Sequence, residues 1–139
     1  MQVILTGHDK TAIAMKSAVE MIFGQVDNFQ EVPFLQGEGL ETVQAKMKAV
    51  IKQFDTNEEI LVIADLFSGT PYNAASTLCL KGLVTDVIAG MSLPICLEVA
   101  NMSLSMTCSQ LTREINQNST SYTRILSLEL QKTEEDDME

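Results

Sequence analysis

The sequence predicts a doubly wound α/β fold, a mostly parallel sheet of strand order 2-1-3-4 with helices on both faces. Three observations lead there. Short apolar runs alternate with amphipathic stretches of helical period from the first residues onward. The run Ile60-Leu61-Val62-Ile63-Ala64 is apolar without a break, as a parallel strand buried on both faces requires. His8, the one histidine of 139 residues, stands where the first apolar run gives way to a helical pattern. Open α/β sheets place their ligands at that point, past the carboxyl end of a strand.

Taken in order, residues 2–6 read as a short buried strand. Ala12, Met15, Val19 and Ile22 then recur at spacings of three and four, which predicts a helix over 11–23 that Gly24 ends. Phe29, Val32 and Phe34 form a less regular strand, and Pro33 confines it to an edge of the sheet. Leu40, Val43, Met47, Val50 and Ile51 share one face of a helix over about 40–54. The turn before it, Gly37-Glu38-Gly39, has Thr at position 42 and so lacks the full dinucleotide fingerprint. After the strand 60–64, Thr70 reads as the N-cap and Pro71 as the first residue of a helix over 71–81. A fourth strand, 84–89, stops at Gly90, and Pro94 opens a helix that runs, with an interruption, to about Asn116. Beyond the polar stretch 116–121, Ile125, Leu126, Leu128 and Leu130 alternate with Ser127 and Glu129. That pattern predicts a last, antiparallel strand over about 124–130.

The chain has one domain's worth of residues, assigned here to 1–131, with an acidic tail over 132–139 that is expected to be solvated and frayed. A net charge of −10, with nine basic residues against nineteen acidic ones, argues against nucleic acid as a partner. No apolar run approaches the roughly 20 residues of a membrane span, and no basic leader precedes the first strand, so a cytoplasmic location is expected. Cys79, Cys96 and Cys108 form no CxxC pair, and a single histidine does not complete a clustered zinc site. Reduced core thiols, no metal and no cofactor are the expectation.

Chemistry concentrates at the ends of the first and third strands. In the order 2-1-3-4 these strands are neighbours, about 4.8 Å apart, with connections leaving in opposite directions. His8 and Asp65, 57 positions apart in the chain, then share one crevice. A carboxylate bonded to Nδ1–H fixes the imidazole tautomer and leaves the Nε2 lone pair free to attack. Phosphoryl transfer suits such a pair, because it needs mainly positioning and hydrogen-bond donors. The turn Ser68-Gly69-Thr70 supplies donors for a phosphate through the Thr70 hydroxyl and the helix's first amides. Two plainer roles stay open: Asp65 bonding a local loop, and Ser68-Gly69-Thr70-Pro71 serving only as a helix start. A receiver domain with Asp65 as acceptor competes for the same geometry. It needs a magnesium ion held by an acidic pair after the first strand, where only Asp9 stands.

Three segments carry a family resemblance: Ile4-Leu5-Thr6-Gly7-His8, the stretch from Ala64-Asp65-Leu66-Phe67 through Ser68-Gly69-Thr70-Pro71-Tyr72-Asn73-Ala74-Ala75, and Ile88-Ala89-Gly90-Met91-Ser92-Leu93-Pro94. Together they resemble the IIA component of mannose-family sugar phosphotransferase systems (the mannose, fructose and sorbose type), over essentially residues 1–130. The resemblance implies that His8 accepts a phosphoryl group from the histidine phosphocarrier protein and passes it to a IIB component. The membrane components IIC and IID then import the sugar. It implies that Asp65 orients His8, that Thr70 bonds the phosphate, and that the protein is a homodimer whose final strand crosses to the partner's sheet.

The chain departs from the family pattern in two places. Asp9 follows the nucleophile where members often have Gly, and Ser92 stands where they tend to have Asn. No IIB domain follows in the sequence, so IIB is expected on a separate chain. Two related functions remain: a phosphocarrier that serves a dihydroxyacetone kinase, and a regulatory module that accepts phosphate without passing it on.

Overall fold

A computed structural model describes residues 1–138; Glu139, the last residue of the acidic tail, lies outside the described residues. Four strands, β1 (Gln2–His8), β2 (Phe29–Phe34), β3 (Ile60–Ala64) and β4 (Asp86–Ala89), form one sheet in the order β2-β1-β3-β4. All three pairings are parallel. The helices α1 (Thr11–Phe23), α2 (Leu40–Ile51), α3 (Thr70–Leu80), α4 (Leu93–Met102) and α5 (Cys108–Asn118) cover it.

Side chains alternate across a strand, so each buried strand feeds two cores. Val3, Leu5, Leu61 and Ile63 face α1, α4 and α5, where they meet Val19, Val99 and Leu111. Ile4, Ile60 and Val62 face α2 and α3, where they meet Val43, Met47, Ala74 and Leu78. The unbroken apolar run at 60–64 is required by this two-sided burial. Thr6, fully buried in β1, is satisfied because its hydroxyl donates to the Val32 carbonyl at 2.8 Å. Pro33 sits in the edge strand β2, as its missing N–H demands.

The expected break after Pro94 falls at residues 103–107. Ser103 is buried and its hydroxyl accepts from the Asn28 amide at 2.9 Å, which ends α4. Thr107 and Gln110 then bond each other's backbone N–H in a capping box that starts α5. The N-cap of α3 is Gly69, not Thr70. Thr70 is the first helical residue, because Ser68 adopts a left-handed φ of 64° and turns the chain into the helix one position earlier.

The C-terminal segment differs most from its sequence pattern. Of the residues expected as an antiparallel strand over about 124–130, Arg124 and Ile125 are irregular and Leu126 to Leu130 start a helix, α6 (Leu126–Met138), which continues through the acidic residues of the expected frayed tail. A strand needs a neighbour for its backbone groups, and among the described residues no strand pairs with this segment. A helix satisfies its N–H and C=O groups internally, and the Leu, Glu, Gln and Lys of this stretch favour it. Glu129 adds local pairs to Arg124 and Lys132, both at 3.6 Å. α6 buries no residue, and Ile125, Leu126, Leu128 and Leu130 are all more than half exposed or at the half mark. Among the described residues no helix is long and apolar enough to cross a membrane.

All three cysteines are free, with Cys96 and Cys108 buried and Cys79 half-buried. Burial pushes the thiols of Cys96 and Cys108 up to about 12, far from the thiolate form that reacts. In native protein at pH 8, iodoacetamide should leave Cys96 and Cys108 unmodified and label Cys79 slowly. All three should react in denaturant, as read by mass spectrometry.

Candidate functional site

The site forms where β1 and β3 end side by side. Their register pairs Thr6 with Ala64, and the Asp65 N–H donates to the Thr6 carbonyl at 3.1 Å. Asp65, just past the end of β3, is thereby brought beside His8, the last residue of β1. Asp65 Oδ2 accepts the backbone N–H of His8 at 2.9 Å and lies 2.9 Å from His8 Nδ1. Oδ1 of the same carboxylate is buried without a partner among the described residues. The carboxylate's hydrogen bonding is therefore directed wholly at His8, at both its main chain and its ring.

An imidazole held in this way carries its proton on Nδ1 and presents Nε2, on the far side of the ring, as a lone pair. The His8 side chain is 48% exposed while Asp65 is 18% exposed. The imidazole thus faces solvent and the carboxylate bonded to it is largely covered. The Thr11 hydroxyl donates to the His8 carbonyl at 2.8 Å and fixes the turn into α1. The Asp9 N–H donates to the Phe34 carbonyl at 2.7 Å, and Asp9 takes a left-handed φ of 53°. Asp9 lines, with His8, Phe34, Leu35 and Glu38, a hollow of about 290 Å³ beside the ring. Glu38 closes its far side. The Lys46 ammonium, donating to Glu38 Oε1 at 2.7 Å, holds that carboxyl below the usual carboxylate range, aided by the Leu35 N–H at 2.7 Å.

On the other side of His8 runs the loop into α3. The Gly69 N–H points back to the Leu66 carbonyl at 3.4 Å, and Asn73 Nδ2 donates to the Ser68 carbonyl at 3.2 Å. Thr70 heads α3, so the positive end of the helix dipole opens at the site. Leu66 and Phe67 are 58% and 68% exposed, and Phe67 packs on Tyr72 with ring centroids 5.0 Å apart. Among the described residues no three His, Cys, Asp or Glu side chains gather closely enough to hold a metal ion.

Comparison with known proteins gives the family. Residues 2–116 match the family model EIIA-man, described as "PTS system fructose IIA component". The chain belongs to this family. It is 48% identical over 125 residues to the sorbose-specific EIIA component of Lacticaseibacillus casei, covering 87% of this chain and 90% of that protein. It is 36% identical over 130 residues to the fructose-specific EIIA component of Bacillus subtilis, covering 94% and 89%. The mannose/sorbose IIA subunit from Enterococcus faecalis superposes with a TM-score of 0.78 at 29% identity, covering 89% of this chain and 93% of that one. The phosphotransferase IIA component from Streptococcus agalactiae shares the fold, with a TM-score of 0.83 at 22% identity. As a IIA component, the protein is a phosphoryl carrier in sugar uptake, a transferase acting within a relay.

Of the residues singled out from sequence, His8 and Asp65 meet directly, and Gly69 lies against the His8 ring: a Cβ built on Gly69 would stand 3.2 Å from His8 Cε1. Three neighbours of His8 escaped sequence reasoning. Phe34 is its register partner on β2, with ring centroids 5.4 Å apart. Thr11 bonds its carbonyl. Gly7 leaves room for both partners, since a Cβ there would collide with the Thr11 hydroxyl and stand 3.0 Å from Asp65 Cβ and Cγ. Once the strand order is given, the His8–Phe34 pairing follows, because both end their strands on the same side of the sheet.

Gly7→Ala should therefore destabilise the protein by about 1–3 kcal/mol in urea unfolding, since packed backbone and side chains must shift to admit a methyl group. An unchanged midpoint would show that the Thr11 and Asp65 contacts are not tight.

Proposed function

We propose that His8 is the phosphoryl acceptor, charged by the phosphohistidine of the histidine phosphocarrier protein and discharged to a separate IIB component. The observation that carries this reading is the double engagement of one Asp65 oxygen with the N–H and Nδ1 of His8, at 2.9 Å each. It supports a ring whose Nδ1 carries a proton toward Asp65 and whose Nε2 points away from it. Nε2 attacks phosphorus, the donor's N–P bond breaks, and its electron pair returns to the donor imidazole, which leaves neutral. The Nδ1 proton of His8 stays in place, and the ring's new positive charge lies beside the Asp65 carboxylate. Thr70, with the Ser68-Gly69 turn ahead of it, is the phosphate-binding element, placed at a helix N-terminus that favours anions. The exposed Leu66 and Phe67 suit docking of both protein partners, which must bring an imidazole to this surface in turn.

The test is labelling from phosphoenolpyruvate through the system's first enzyme and the histidine carrier. The label should be lost in acid, survive base and be absent from His8→Ala. Label that persists in that variant defeats the assignment. Asp65→Asn should fold normally yet transfer about 10²-fold more slowly, because the tautomer is no longer enforced. An unchanged rate removes the orienting role of Asp65.

The reading extends to a homodimer in which residues 125–130 leave their helix and pair with the partner's β4. Support comes from the exposed alternating Ile125, Leu126, Leu128 and Leu130, and from β4, which has no strand beyond it. A hollow of about 280 Å³ lined by Ile88, Ile95 and Ile115 flanks that edge. Strand exchange gives the segment the backbone partners that it lacks in one chain. Deletion of residues 120–139 should yield monomers in analytical ultracentrifugation; a stable dimer after deletion would refute the exchange.

A further inference from the structure

We propose that Phe34 and Gly69 form a slot that sets the rotation of the His8 imidazole, making both positioning residues for phosphoryl transfer. This rests on His8 being the acceptor. A single hydrogen bond from Nδ1 to Asp65 places one atom of the ring but does not hold its plane. Rotation of an imidazole about Cβ–Cγ is soft, with two broad wells, and a half-turn exchanges Nδ1 for Cδ2 at the carboxylate. Two further contacts define the plane. The Phe34 ring stands edge to face with the imidazole, at 5.4 Å between centroids and 80° between planes. Phe34 is tied to the nucleophile's strand by its register with His8 and by the Asp9 N–H on its carbonyl. On the other side Gly69 leaves the space that Cε1 occupies, since a Cβ there would stand 3.2 Å from it.

Gly69 is the N-cap of α3, a position that suits glycine, but its backbone conformation does not require one. Its φ of −77° and ψ of 169° are open to any residue. A Cβ there would meet His8 Cε1 at 3.2 Å, with the next neighbours, the Leu66 carbonyl oxygen and Cδ2, at ordinary distances of 3.6 and 3.7 Å. An added methyl group thus presses on the imidazole and on little else. With Nδ1 on Asp65 and Cε1 against Gly69, the ring has one orientation in which Nε2 meets an incoming phosphorus in line. The reaction gains from this because the attacking lone pair is aligned before the partner arrives.

The experiment compares wild type with Phe34→Leu, Phe34→Tyr and Gly69→Ala. One readout is the tautomer of His8, by long-range ¹H–¹⁵N NMR of the unphosphorylated protein, which needs no partner. The other is the rate of transfer from the phosphorylated histidine carrier over a range of carrier concentrations. Wild type and Phe34→Tyr should show the Nδ1–H tautomer. Phe34→Leu and Gly69→Ala should show a mixture, with the saturating rate lowered roughly tenfold and the half-saturating concentration within about twofold of wild type. A raised half-saturating concentration with an unchanged tautomer and saturating rate would overturn the proposal and make Phe34 a docking residue. Wild-type tautomer and kinetics in both variants would overturn it as well. Should Phe34→Leu unfold, Gly69→Ala carries the test alone. Should wild-type His8 take no phosphate, the acceptor assignment fails, and the tautomer spectra still decide the slot.

Discussion

The parallel pairing of β1 with β3 is the constraint on which the site depends. It is held in register by side chains buried on both faces of both strands: Val3, Ile4 and Leu5 on one, Leu61, Val62 and Ile63 on the other. A slip by one residue would exchange the two faces of a strand and send each side chain into the wrong core. The register is therefore firm: it sets Thr6 opposite Ala64, and Asp65, one residue further, reaches His8, two residues past Thr6. The hydrogen bond from the Asp65 N–H to the Thr6 carbonyl is the last rung of that ladder. The polar pair beyond it inherits its geometry from apolar packing below.

The site is shallow, and that suits its chemistry. A deep pocket would admit a small molecule and keep out an imidazole carried on another protein. Here the His8 ring stands half-exposed on the rim of the sheet, while the carboxylate bonded to it is largely covered. Exposed Leu66 and Phe67 stand beside it on one side, and the hollow bounded by Asp9, Leu35 and Glu38 lies on the other. Preorganisation comes from the strand ends and from the start of α3, elements too well packed to need ordering when a partner docks.

The C-terminal segment shows how far local pattern can be read. Ile125, Leu126, Leu128 and Leu130 have the period of a half-buried strand, yet the same residues lie in α6 or just before it. Both descriptions arise from one physical fact: the stretch is amphipathic and has no apolar surface of its own chain to rest on. Isolated from a sheet edge, it satisfies its backbone within a helix. The helix is marginal by the same token, as it buries nothing.

Much of the molecule was legible in the linear chain. Strand and helix alternation, the edge position imposed by Pro33, the two-sided burial of 60–64 and the meeting of His8 with Asp65 all follow from side-chain period and residue chemistry. Those properties are local, or are fixed by the few topologies that such an alternation allows. The cap of α3 was read one residue late, because the left-handed turn at Ser68 has no signal in residue type. Phe34, Thr11 and Gly7 were invisible as parts of the site. Their roles depend on distances across strands and turns, such as the gap that Gly7 leaves between Thr11 and Asp65, and close approach in three dimensions leaves no periodic trace. The sequence by itself determined which imidazole and which carboxylate meet at the strand ends. Only the tertiary structure decided how the ring is held, because that is a matter of packing around one side chain.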